Sequence, residues 1–94
     1  MKEFISNLLN LNVFVMNKIR ATQAYDEALS YGNANEHRKA APLLKEAAEL
    51  GNPDAMAVYG SELLLGKGVP ENGTEAVKWL EQAMLRKQDG ATGL

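Results

Sequence analysis

Residues 53–84 read PDAMAVYGSELLLGKGVPENGTEAVKWLEQAM, and the fold turns on this stretch. It is entered through Asn52-Pro53. Asn is a good helix cap, and Pro suits the first helical position, where its missing N–H would have had no partner. Gly66-Lys67-Gly68-Val69-Pro70 then punctuates the chain as a turn. Asn72 can restart a helix, with Glu75 three residues on as its capping-box partner. The small residues Gly60, Ala76 and Ala83 stand where two antiparallel helices would have to cross closely. The stretch therefore predicts a helix–turn–helix pair.

The pattern recurs upstream. Leu43-Leu-Lys-Glu-Ala-Ala48 aligns with Trp79-Leu-Glu-Gln-Ala-Met84, 36 positions later. The same offset pairs Ala40 with Ala76, Ala55 with Ala91 and Gly32 with Gly68. A period of this size is the mark of a stacked helical array, in which each unit needs neighbours to bury its apolar face. The upstream copy is degenerate. Ala24 replaces Gly60, and Gly32-Asn33-Ala34 replaces the longer glycine turn. Gly32 is expected to end a helix, with Asn35 capping the next, and Gly51 to end that one.

The stretch resembles the Sel-one-like repeats, relatives of the tetratricopeptide repeats. Asp54-Ala55, Gly60, Gly66-Lys67-Gly68-Val69-Pro70, Ala76, Trp79 and Ala83 stand at that family's marked positions. The resemblance covers the second repeat almost throughout, the first only loosely, and residues 1–17 not at all. It implies an all-α fold, a right-handed α–α superhelix of two helix pairs, to which the apolar spacing of the N-terminal segment adds an N-terminal helix. The expected layout is an apolar N-terminal helix over 1–17, a degenerate repeat over 18–51, a second repeat over 52–87 and a flexible tail over 88–94.

The N-terminal segment has no Gly or Pro before Gly32, so the first 31 residues can be helix, expected in two pieces. Phe4, Ile5, Leu8, Leu9, Val15, Met16 and Ile19 recur at helical spacing, with Leu11 and Phe14 off that stripe. Such a helix is expected to cover the open end of a two-repeat array, or to meet a dimer mate. Glu3, the interrupting Asn7, Asn10 and Asn12, and the following Lys18 and Arg20 do not suit a secretory signal, and the stretch is too short and polar to span a bilayer.

Composition narrows the function classes. The chain has 94 residues, 46% hydrophobic and 23% charged, and a net charge of −2. One domain is expected. Charges of both signs are interspersed, without the basic patch of a nucleic-acid binder. The absence of cysteine removes disulfides, thiolate metal sites and a Cys nucleophile, and fits a cytoplasmic setting. The glycines around Lys67 miss the spacing and the hydroxyl residue of a phosphate loop. His37 stands alone among charged neighbours and reads as a solvated surface residue. Trp79 reads as a core anchor. Neither cofactor nor metal is expected, and no nucleophile–base–orienter set argues for an enzyme.

What remains is recognition of another protein. In the resembled superfamily the first helix of each pair lines a groove that holds a peptide or helix. Carried onto this chain, the groove positions are Asp54, Ala57, Ser61, Leu64 and Leu65 in the second repeat. In the first they are Lys18, Ala21, Tyr25, Ala28 and Leu29. The expected partner-binding residues are Tyr25, Leu29, Ser61, Leu64, Leu65, Asp54 and Lys18. The leading expectation is an adaptor or inhibitor, such as an immunity protein that neutralises a cognate toxin, or a component of a secretion or signalling complex. The alternative is an oligomerisation module whose N-terminal helix, residues 1–17, swaps between chains.

Overall fold

The computed structural model describes residues 2–92, with side chains for 11–88. Among the described residues there are four helices and no strand: α1 (Lys2–Asn33), α2 (His37–Glu49), α3 (Pro53–Leu65) and α4 (Gly73–Thr92). Each packs on the next in chain order. None is long and apolar enough to cross a membrane.

The punctuation behaves as the residue chemistry requires. The Asn52 side chain accepts from the Ala55 N–H at 3.0 Å, with Pro53 opening α3. Gly66 caps α3 in the left-handed conformation (φ 69°), and Gly68 follows at φ 79°. Asn72 Oδ1 accepts from the Glu75 N–H at 3.1 Å, and its Nδ2 donates to Glu75 Oε2 at 3.4 Å. The first turn differs from expectation. Gly32 lies inside α1, and Asn35 takes the positive φ (63°) that reverses the chain. Glu36, not Asn35, precedes α2, and its side chain makes no cap bond.

Alanines paired by the 36-residue offset fall in the same core clusters. Ala40 and Ala76 are buried in one cluster with Ala28, Leu44, Tyr59 and Leu63. Ala47 and Ala83 are buried in the other with Ala24, Ala48, Ala55 and Met56. A Cβ on Gly60 would lie 2.9 Å from Leu80 Cγ and 3.2 Å from the Ala76 carbonyl oxygen, so α3 and α4 touch backbone to side chain there. Trp79 is half-buried against both clusters, edge-on to Tyr59 at 5.9 Å, and its Nε1 donates to Glu75 Oε1 at 3.4 Å.

The N-terminal segment departs from expectation twice. No separate helix exists over 1–17: α1 runs unbroken for 32 residues, because nothing before Gly32 interrupts its hydrogen-bond ladder. Nor are its described side chains, 11–17, buried against the array. α1 is about 48 Å long and α2 only about 20 Å, so the first part of α1 projects beyond the body and sets the 50 Å long dimension. Every described residue from 11 to 20 is exposed. At the other end α4 stays helical to Thr92, where a loose tail from 88 was expected; the side chains beyond 88 and residues 93 and 94 lie outside the described part.

Candidate protein-binding surface

On α3 the buried residues Ala55, Met56, Tyr59, Gly60, Glu62 and Leu63 form one side. Helical periodicity turns Asp54, Ser61, Leu64 and Leu65 to the other, and all four are exposed, Leu65 by 69%. On α1, Lys18 and Leu29 are exposed and Tyr25 is half-buried. The remaining carried-over positions divide. Ala57 is half-buried, whereas Ala21 and Ala28 are buried core residues. They sit on the side of α1 that meets the body, and their small size lets the helices approach.

Polar contacts organise one end of this surface. Lys87 Nζ of α4 lies 3.2 Å from Asp54 Oδ1 of α3. Tyr25 of α1 is close enough to feel both charges. Burial raises its phenol above the ordinary range, Asp54 adds to the rise and Lys87 opposes it. Tyr25 also packs against both core clusters, so its position is fixed before any partner arrives. The Ser61 hydroxyl donates to the Ala57 carbonyl at 3.0 Å and is thus occupied by its own helix.

Lys18 belongs to a feature that sequence reasoning missed. A cleft of about 430 Å³ opens where α1 passes the α2–α3 turn, lined among others by Phe14, Lys18, Ala21, Leu50, Pro53 and Arg86. It joins apolar walls to two cations, neither of them ion-paired among the described residues. Its parts come from three helices and a turn, so no local motif marks it.

His37 is also not what it looked like. Both of its ring nitrogens are shut off from water, and Nδ1 lies 3.6 Å from the Glu62 carboxylate. The cause is the glycine turn: Gly68 sits so close to the His37 carbonyl that a Cβ there would be 2.4 Å from its oxygen. Other charged side chains work as cross-links. Arg20 donates from Nε and Nη2 to both oxygens of Glu46, at 2.9 and 2.7 Å, clamping α1 to α2.

No known protein family, no curated protein and no solved structure matches this chain.

Proposed function

We propose that the chain is a non-enzymatic protein-binding module, built as a right-handed tetratricopeptide-like superhelix with Sel-one-like repeats. Its inner face, formed by α1 and α3, takes up a peptide or a helix of another protein. What carries this reading is one observation: Leu29, Leu64 and Leu65 stand 39%, 48% and 69% exposed on the first helices of the two pairs. Large apolar side chains held in water by a rigid scaffold are surface that a partner can bury. Tyr25 and the Asp54–Lys87 pair add polar anchors at one end. A small stoichiometric binder of this design suits an adaptor or an immunity protein that blocks a toxin, a step that rests on analogy of architecture.

The test uses the chain as bait in its native lysate, beside a Leu29→Glu/Leu65→Glu variant. A charge in a desolvated stripe opposes binding strongly. A protein captured by the wild type and lost by the variant supports the reading, provided the two baits melt alike. Equal capture by both moves the interface to another surface.

A further inference from the structure

The side of α1 turned away from the helical body carries a pattern of its own, independent of the inner face. Asn12, Val15, Ile19 and Thr22 follow at alternating intervals of three and four residues, and all are exposed. The sequence carries the same spacing back through Leu8 to Ile5. At about 100° per residue, Asn12, Val15 and Ile19 centre about 180° round the helix from Ala21, Ala24 and Ala28, the three alanines that pack into the core. One continuous helix cannot lay both rows on the same body. A shallow hollow of about 310 Å³, lined by Val15, Lys18, Ile19, Thr22 and Gln23, opens on this outer side.

We propose that this row is the seam of a parallel, in-register pairing with α1 of a second copy of the chain. In heptad terms Ile5, Asn12 and Ile19 take the a positions, and Leu8, Val15 and Thr22 the d positions. Ile at a with Leu at d, as at Ile5 and Leu8, favours two strands, and a single Asn at a sets register by meeting its counterpart across the seam. Charge permits the pairing. No charged residue occurs between Glu3 and Lys18, so like copies meet without repulsion. The next a position is Asp26, where two carboxylates would oppose, and the seam ends there. Area permits it too. A large apolar side chain offers about 60–120 Å², so Leu11, Val15, Met16 and Ile19 supply about 250–500 Å². A specific interface takes about 800 Å² per partner, and the sequence continues the seam spacing through Leu8 to Ile5. The bodies do not obstruct it, since each lies on the far side of its own α1.

Sedimentation of the full chain across about 1–200 μM tests the proposal, with two variants and a cross-link. The expected result is a concentration-dependent dimer that Val15→Glu converts to a monomer. Val13→Glu adds the same charge to an exposed residue off the seam and should leave the dimer intact. The chain has no cysteine of its own, so Ile19→Cys should form a disulfide between copies under mild oxidation, because the parallel register sets the two positions 19 opposite each other. A wild type that stays monomeric throughout, a dimer broken equally by both glutamates, or a dimer in which Ile19→Cys does not cross-link overturns the proposal.

Discussion

His37 Nδ1 lies 3.6 Å from Glu62 Oε1, and this imidazole–carboxylate pair joins the start of α2 to the last turn of α3 away from water. Glu62 is only 8% exposed, and its second oxygen has no hydrogen-bond partner. Removing His37 leaves a shielded carboxylate without the imidazole beside it. His37→Ala should therefore lower stability by about 1–3 kcal/mol. Replacing both by leucine removes the need for a partner and should fall within about 1 kcal/mol of wild type or above it. Urea unfolding of the two variants distinguishes this account from a merely solvated histidine, for which both would be neutral.

Two glycine substitutions should have opposite signs. Gly60→Ala drives a methyl against Leu80 and the Ala76 carbonyl, so α3 and α4 must separate. The strain, about 1–3 kcal/mol, outweighs the gain of up to about 1 kcal/mol from alanine's better helix propensity. Gly32 lies in a helix with nothing within 4 Å of an added Cβ. Gly32→Ala should stabilise by about 0.5–1 kcal/mol. Thermal melts of both proteins check the pair. A neutral Gly60→Ala would mean that the crossing is looser than the Leu80 contact indicates.

Trp79→Ala removes the ring that touches both core clusters. Because the residue is half-buried, the expected loss is about 2–4 kcal/mol, at or below the usual range for a buried Trp. Trp79→Phe keeps the edge-on contact to Tyr59 and gives up the bond to Glu75, so it should cost less than half as much. Equal losses would place the energy in the Nε1–Glu75 bond.

Much of this architecture is written locally. Asn52-Pro53, Gly66, Gly68 and Asn72 act through their own backbone geometry, which is why the boundaries of α3 and the start of α4 can be read directly. The first helix misled for the opposite reason. The two pieces expected over residues 1–31 had no residue behind the break, since the local sequence contains no breaker before Gly32. Pro42 shows tertiary packing overriding a local signal: α2 runs straight through it because Ala40, Ala41, Leu44, Ala47 and Ala48 are all buried. Of the groove positions that the resemblance implies, those at the exposed edge agree with the helical period of α3. Ala21 and Ala28 are buried instead, because whether a small residue lines a groove or a helix crossing depends on the neighbouring helix. The seclusion of His37 depends on a turn 31 residues further along the chain, at Gly68.

The clamp between Arg20 and Glu46 should show as acid sensitivity. The hydrogen bonds from Arg20 hold the Glu46 carboxyl below its ordinary range. A carboxyl depressed in the folded state contributes stability above its unfolded pKa, near 4.3, and loses it as pH falls through the folded value. Both side chains are exposed, so the effect is small. Wild type should lose more urea resistance than Glu46→Gln when pH is lowered from neutral to about 3. Parallel losses would show that the pair adds nothing.

The central claim, that the inner face receives a partner protein, is tested most directly by a methyl spectrum of the chain, free and saturated with the protein that it captures. Leu29, Leu64 and Leu65 are the probes on the face, and Val77 and Leu85, exposed on α4, are the internal controls. The account predicts large shifts of the three leucines while Val77 and Leu85 stay in place. Shifts at Val77 and Leu85 with the three leucines unmoved would put the partner on the last helix and contradict it.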